Sequence, residues 1–136
     1  MTGTDIAMPV LDGERVLIVE DGEDAAAALT ALLRLKGFNA RAVLTGTGAV
    51  AAAKTTRPQV VLLDLGLPDT DGHDVLCRLR ELPDPPAVVV VSGHADPKRQ
   101  QAAIEAGAAG YLVKPADPDA LVALVRQLCT AEPAAG

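Results

Sequence analysis

The sequence predicts a single α/β domain in which a parallel β-sheet is covered by helices on both faces. Short aliphatic runs alternate with helical stretches five times along 136 residues, a pattern typical of βαβ units joined by right-handed crossovers. Two runs, at 60–63 and 87–91, are continuously apolar, as expected of strands buried on both faces. The length fits one domain with its own core.

The core of this domain must be aliphatic. Hydrophobic residues make up 49% of the chain but aromatic residues only 1%, so Val, Leu, Ile and Ala have to fill the interior. We expect the domain to span residues 14–130, between a flexible N-terminal tail at 1–13 and a flexible C-terminal tail at 131–136. The sequence shows no internal repeat and no second domain.

The first half of the chain predicts three strands and two helices. Their bounds are 15–19, 39–43 and 60–63 for the strands, and 23–36 and about 47–56 for the helices. In the first helix Leu29, Leu32 and Leu33 recur at helical spacing, and Gly37 closes it as a C-cap. The second helix is rich in Ala, the strongest helix former.

The second half predicts two more strands and three helices. A loop at 66–72 precedes the third helix, whose apolar stripe is Val75, Leu76 and Leu79. The remaining bounds are 87–91 and 111–113 for the strands, and 97–106 and a stretch from 118 onward for the helices. Proline suits the first turn of both later helices, and Asp117 caps the last one.

The net charge of −6 limits the partners of the chain. Binding to nucleic acid or to an anionic membrane needs a basic face, so we expect no direct contact with either. The acidity favours a cation or a basic partner surface instead. No apolar run approaches the ~18 residues of a membrane span, and residues 1–14 lack the basic and apolar regions of a signal peptide.

The two cysteines, Cys77 and Cys129, form no Cys-x-x-Cys pair and have no His at metal-ligand spacing. Both fall in predicted helices, where we expect buried, reduced thiols. Reduced cysteines suit a cytoplasmic location.

Polar side chains follow four of the five predicted strands. Glu20 and Asp21 come after the first strand, and Asp64, Ser92 and Lys114 come after the third, fourth and fifth. The carboxyl ends of parallel strands meet at one edge of the sheet, where α/β proteins hold their ligands. Asp64 taken alone could equally be a cap or turn residue, but the set predicts one polar pocket.

These residue types favour phosphoryl transfer. Carboxylates of Glu20, Asp21 and Asp64 in one pocket would repel one another by roughly 4 kcal/mol per pair at ~4 Å, a cost that Mg²⁺ would offset. Lys114 could hold a phosphoryl oxygen or pair with a carboxylate, and Ser92 offers a hydroxyl. A carboxylate nucleophile beside Mg²⁺ and a lysine suits a reaction that depends on positioning and charge neutralisation.

Four motifs, in this order, resemble the receiver domain of two-component response regulators. They are VLIVED at 16–21, VLLDLGLP at 61–68 with DG at 71–72, VVSG at 90–93, and GYLVKP at 110–115. The resemblance covers about residues 14–128. It implies a flavodoxin-like (βα)5 three-layer sandwich with a five-stranded parallel sheet in the order 2-1-3-4-5.

The resemblance also implies a role for each site residue. Asp64 is the expected phospho-acceptor, taking a phosphoryl group from a phosphohistidine of a histidine kinase or of a histidine phosphotransfer protein. Asp21, Asp64 and the backbone carbonyl of Gly66 would bind Mg²⁺ directly, and Glu20 would bind it through water. Lys114 would contact the phosphoryl group.

Two further residues are expected to respond to phosphorylation. Ser92 would close onto the phosphoryl oxygen and Tyr111 would swing inward, which would remodel the surface of the fourth helix, fifth strand and fifth helix. That surface would bind a downstream protein target or form a homodimer. The bond between Lys114 and Pro115 is expected to be cis. In this role the chain is a signalling protein that catalyses only its own phosphotransfer and slow autodephosphorylation.

Several alternatives stay open. The chain could be a stand-alone regulator, as its start at Met1 favours, or the receiver of a hybrid histidine kinase. A phosphohydrolase with an aspartyl-phosphate intermediate usually carries a second Asp two residues after the nucleophile, where this chain has Gly66. A scaffold that is never phosphorylated would not need the whole polar set. We expect Gly66 to leave the acceptor open to hydrolytic water, and His73 and His94 to be solvated.

Overall fold

The computed structural model describes residues 13–130, so the expected flexible tails at 1–13 and 131–136 lie outside the described residues apart from Gly13. The strands are β1 (Arg15–Val19), β2 (Asn39–Val43), β3 (Val60–Asp64), β4 (Ala87–Ser92) and β5 (Gly110–Val113). The helices are α1 (Glu23–Leu35), α2 (Gly46–Thr56), α3 (Gly72–Arg80), α4 (Pro97–Glu105) and α5 (Pro118–Thr130). All ten elements occur at the predicted places, with ends that shift by a residue or two.

The five strands form one parallel sheet in the order β2-β1-β3-β4-β5. In register, Val19 pairs with Leu63, and Asp64 pairs with Val91. From β1 the chain first adds β2 on one side of the sheet and then crosses over to add β3, β4 and β5 on the other side. Such a switch point between β1 and β3 opens a crevice at the carboxyl edge of the sheet. The flavodoxin-like fold implied by the resemblance is confirmed.

Alternation within each central strand builds a core on both faces of the sheet. In β1, Val16 and Ile18 face one side, whereas Leu17 and Val19 face the other. The same division runs through β3 and β4, which explains why these strands are continuously apolar in the sequence. Each of these β1 side chains is at most 2% exposed.

The helices complete the three layers. Leu33 of α1 and Val125 of α5 pack on the face of Val16 and Ile18. On the opposite face, α2, α3 and α4 contribute Ala53, Leu76 and Ala103. Small alanines in α2 let that helix lie close to the sheet, which is how a chain with so few aromatic residues fills its interior.

Side-chain caps set the start of four helices. The side chains of Thr45, Asp71 and Asp96 accept hydrogen bonds from the first turns of α2, α3 and α4, and Asp117, as predicted, accepts from Ala120 N–H in the first turn of α5 at 3.1 Å. The Thr45 cap explains why α2 begins at Gly46, one residue before the predicted start.

Both cysteines are free thiols, as predicted, but the expectation of full burial is wrong. Cys77 on α3 and Cys129 on α5 are each only partly buried, because the elements packed on these helices do not cover them completely. Within residues 13–130, no helix has the length and apolar character needed to cross a bilayer.

Candidate functional site

Lys114 joins two carboxylates at the carboxyl edge of the sheet. Its Nζ donates to Glu20 Oε1 at 3.0 Å and to Asp64 Oδ2 at 3.2 Å. Asp64 ends β3 in the centre of the sheet and is 9% exposed, whereas Glu20 follows β1 and Lys114 follows β5. Three strand ends that are far apart in sequence therefore meet at one ion-paired cluster.

Asp21 completes an acidic cluster with these residues. Carboxylate oxygens of Glu20, Asp21 and Asp64 all lie within 4.8 Å of one another. Asp21 is exposed and faces solvent, so the cluster is open on one side. Three hard oxygen donors with an open face form a donor set that could hold a divalent cation.

Each oxygen of Asp64 has its own donor. Oδ2 accepts from Lys114, and Oδ1 accepts from the backbone N–H of Gly66 at 2.9 Å. A carboxylate oxygen has about two lone-pair sites, so each oxygen retains capacity for a metal or for a phosphorus atom. Gly66 is exposed, and it contacts the acceptor through its backbone N–H, whereas the expected role was a metal ligand through its carbonyl.

The charges around Lys114 keep it protonated. Partial burial works against the ammonium form, but the hydrogen bond to Glu20 and the charge of Asp64 outweigh burial and raise the pKa of Lys114 above its usual value. A group whose pKa is raised on folding contributes stability at lower pH and loses it only as pH rises through the folded value. The Lys114 cation is therefore present throughout the physiological range.

Ser92 and Tyr111 meet at the backbone of His94. Ser92 ends β4, is 2% exposed, and its Oγ accepts from His94 N–H at 3.2 Å. The hydroxyl of Tyr111 donates to the His94 carbonyl at 2.9 Å. The side chain of His94 is exposed, as predicted, yet its backbone links the two residues that the resemblance selects as responsive.

The bond between Lys114 and Pro115 is cis, as the resemblance implies. The backbone N–H of Lys114 also donates to the Ser92 carbonyl at 2.8 Å. The ends of β4 and β5 are thus tied together directly beside the acidic cluster.

Sequence reasoning missed Asp69. This residue lies in the β3–α3 loop (residues 65–71), and its carboxylate accepts hydrogen bonds from Gly46 and Thr47 at the start of α2. The backbone N–H of Gly46, then that of Thr47, lower the pKa of Asp69 below its usual value. Nothing in local periodicity could reveal a contact that spans more than twenty residues.

A cavity of about 630 Å³ lies at the opposite, amino-terminal edge of the sheet. Its lining includes the cations Lys54 and Arg57, which lie where α2 ends, and Arg15, the first residue of β1. Cations at a helix carboxyl end complement the helix dipole. Among the described residues that line the cavity, Asp84 is the one carboxylate, whereas the cluster of Glu20, Asp21 and Asp64 lies at the other edge of the sheet.

Comparison with known proteins agrees with this geometry. Residues 16–126 match the family described as the response regulator receiver domain. The transcriptional regulatory protein PrrA of Mycobacterium leprae is 40% identical over 114 residues, which is 84% of this chain and 49% of that protein. The DNA-binding response regulator MtrA of Mycobacterium tuberculosis is 38% identical over 113 residues, 83% of this chain and 49% of that protein. The chain thus spans about half the length of the curated relatives it matches.

Solved structures agree as well. The signal receiver domain of a LuxO repressor protein from Vibrio parahaemolyticus superposes with a TM-score of 0.81 at 30% identity, covering 86% of this chain and 90% of that one. A response regulator from Chloroflexus aurantiacus gives a TM-score of 0.82 at 29% identity, covering 88% of this chain and 100% of that one.

The expectation of no direct contact with nucleic acid is wrong for proteins of this kind. MtrA is a DNA-binding response regulator, and PrrA is a transcriptional regulatory protein. The expectation followed from the net charge of one segment, and that charge does not constrain what the other half of such a relative contacts. With its five parallel strands, its acidic edge and a family match over residues 16–126, the chain belongs to the response regulator receiver domains of two-component systems.

Proposed function

We propose that the chain is switched by phosphorylation of Asp64. The observation that carries this proposal is the bridge from Lys114 to both Asp64 and Glu20 at 3.2 and 3.0 Å, at the centre of the sheet's carboxyl edge. An acceptor carboxylate needs a nearby cation to receive an incoming dianion, and Lys114 stands at hydrogen-bonding distance from the oxygen that would carry it.

The reaction follows from the groups present. A carboxylate oxygen of Asp64 attacks the phosphorus of a phosphohistidine on a histidine kinase or a histidine phosphotransfer protein. The new oxygen–phosphorus bond replaces the phosphorus–nitrogen bond, and the departing imidazole takes up a proton. The product is an acyl phosphate on Asp64, whose new negative charges lie beside the Lys114 ammonium.

Mg²⁺ is the cation proposed for the acidic cluster. Asp21, Asp64 and the Gly66 carbonyl would hold it directly, and Glu20 through water, and when bound it would neutralise charge on the transferred group. The open face at Asp21 leaves room for water and phosphoryl ligands. The repulsion among three carboxylates within 4.8 Å of one another favours a bound cation.

Ser92 and Tyr111 would transmit the change. A phosphoryl oxygen on Asp64 would accept the Ser92 O–H and draw Ser92 Oγ toward Asp64, which would lengthen the present bond in which that Oγ accepts from His94 N–H. Loss of that bond would shift the His94 backbone, and with it the carbonyl that Tyr111 holds. This route leads to the surface of α4, β5 and α5, where Ile104 and Val113 are 46% and 36% exposed.

That surface is the proposed site for a downstream protein or a second copy of the chain. The exposed aliphatic side chains of Ile104 and Val113 would be buried by such a partner. The proposed location is the cytoplasm. Membership of the receiver family and two free thiols both fit a reducing compartment that also holds the kinase.

The test is phosphorylation by acetyl phosphate in the presence of Mg²⁺, followed by intact-mass measurement. We expect one phosphoryl adduct on the wild type and none on Asp64→Asn. The matched control is Asp71→Asn. Asp71 lies at the end of the β3–α3 loop and its carboxylate caps α3, so this variant should still be phosphorylated. No adduct on the wild type, or an undiminished adduct on Asp64→Asn, would refute the proposal.

A further inference from the structure

The β3–α3 loop is attached to the start of α2 by one carboxylate. Asp69 Oδ1 accepts from Gly46 N–H at 2.9 Å, and Asp69 Oδ2 accepts from Thr47 N–H at 2.9 Å. Both oxygens of a single side chain thus engage two consecutive amides of a helix that precedes it by more than twenty residues. Unpaired amides at a helix start attract an anion.

Helix α2 does not depend on Asp69 as its only cap. Thr45, the residue before the helix, already accepts a hydrogen bond from Gly48 N–H at 3.2 Å. Asp69 accepts hydrogen bonds from the amides of Gly46 and Thr47, which the Thr45 side chain does not bind. The two caps share one helix end, but only the Asp69 cap connects that end to the loop after Asp64.

Packing strengthens the same attachment. Gly46 is buried, and a side chain there would overlap the methyl group of Thr70 and press on Leu67 at 3.1 Å. Leu67 itself is 7% exposed. The middle of the loop therefore lies directly on the first residue of α2, and only a glycine permits this approach.

Both ends of the loop are fixed as well. At its start, Gly66 N–H donates to Asp64 Oδ1 at 2.9 Å. At its end, Gly72 packs against the backbone of Leu65 so closely that no side chain would fit. Asp69 supplies the third attachment, in the middle of the loop, and it is the one made by hydrogen bonds to another element.

We propose that Asp69 is a positioning residue for the metal site, holding the β3–α3 loop against α2 so that the Gly66 backbone, whose N–H bonds Asp64 Oδ1, stays beside the acidic cluster. This inference rests on the proposed function, because it assumes that the cluster binds Mg²⁺. Asp69 does not touch the acidic cluster. It acts through the loop, as supporting residues around metal ligands commonly do.

The attachment and the metal are then coupled. If a loop held on α2 binds Mg²⁺ more tightly than a released loop, Mg²⁺ must favour the held loop by the same factor. Loss of an interaction that orients a metal ligand typically weakens metal binding by about tenfold or more, so we expect about tenfold here.

The experiment compares Asp69→Ala with Thr45→Ala by calorimetric titration with Mg²⁺. Both variants remove one cap from the same end of α2, but only the first releases the loop. We expect Asp69→Ala to weaken Mg²⁺ binding about tenfold, Asp69→Asn to lie between it and the wild type, and Thr45→Ala to bind as the wild type does. Phosphorylation of Asp69→Ala by acetyl phosphate should be slow at low Mg²⁺ and recover at saturating Mg²⁺.

Hydrogen exchange gives a readout that does not depend on phosphorylation. In the wild type, saturating Mg²⁺ should increase protection of the Gly46 and Thr47 amides by the factor that Asp69→Ala costs in affinity. If Asp69→Ala and Thr45→Ala bind Mg²⁺ equally well, or if Mg²⁺ leaves these amides unchanged, the positioning role is refuted. If the wild type binds no Mg²⁺ at all, the proposed function itself fails.

Discussion

Replacing Lys114 with methionine removes the ammonium group that bridges Glu20 and Asp64 but keeps most of the side-chain volume. The two N–O distances are 3.0 and 3.2 Å, and 38% of the lysine side chain is exposed. At ~3 Å two unit charges attract by about 1.4 kcal/mol in the dielectric of water, and exposed pairs commonly contribute about 0.2–1 kcal/mol after entropy is included. Two such contacts, with carboxylate repulsion left behind, predict a loss of roughly 1–2 kcal/mol in the free energy of unfolding.

The effect on metal binding should have the opposite sign. Lys114 and a divalent cation compete for the same carboxylates, so Lys114→Met should bind Mg²⁺ more tightly than the wild type and gain more stability from it. Phosphoryl uptake should nevertheless fall sharply, because the incoming oxygen loses its cationic partner. This combination of signs separates the role of the charge from general damage to the fold.

Urea unfolding followed by far-ultraviolet circular dichroism, with and without MgCl₂, measures both quantities. Lys98→Met is the control, since Lys98 is exposed on α4 and forms no ion pair within residues 13–130. Its stability should change by less than ~0.5 kcal/mol. If Lys114→Met is as stable as the wild type without Mg²⁺ and its Mg²⁺ affinity is unchanged, the lysine is not the counter-ion of the cluster.

Two further predictions concern the acceptor and a distant thiol. A side chain at Gly66 would meet only Asp64 Oδ1, at 3.5 Å, so Gly66→Asn should fold normally. The asparagine should cover the approach of water to the acyl phosphate and slow autodephosphorylation several-fold. If the phosphorylated mass decays at the wild-type rate, this prediction is wrong. Burial first, and the charge of Glu14 second, raise the pKa of Cys129 to about 11. With this pKa only about one part in a thousand of the Cys129 thiol is ionised at pH 8. In a Cys77→Ser variant, alkylation of Cys129 by iodoacetamide should therefore accelerate steadily toward pH 11. A rate that levels off near pH 9 would contradict the raised pKa.

The helices, the strands and the polar edge of the sheet can be predicted from the sequence because they depend on local patterns of residues. The run from Val60 to Leu63 identifies β3 by its apolar side chains, and parallel pairing then forces Asp64 and its counterparts to one edge. The sheet order is different. Periodicity does not determine which strands are neighbours, so the order 2-1-3-4-5 came only from the resemblance.

The contacts missed from the sequence are made by side chains or backbone groups at long range. In the sequence Asp69 is an ordinary acidic loop residue beside Pro68. Its hydrogen bonds to the start of α2 depend on how two distant segments pack. His94 reads as a solvated histidine, and its side chain is solvated, but its backbone joins Ser92 to Tyr111. The partial exposure of Cys129 likewise depends on how closely neighbouring elements cover α5.

The aliphatic core has a practical consequence for spectroscopy. The chain contains one Tyr and no Trp, so near-ultraviolet absorbance and intrinsic emission from the folded protein report on Tyr111 alone, apart from the faint signal of a single Phe. That ring is anchored by its hydroxyl to the loop after β4. The molecule thus carries a native optical probe at the residue expected to move, and a stopped-flow trace needs no label and no deconvolution.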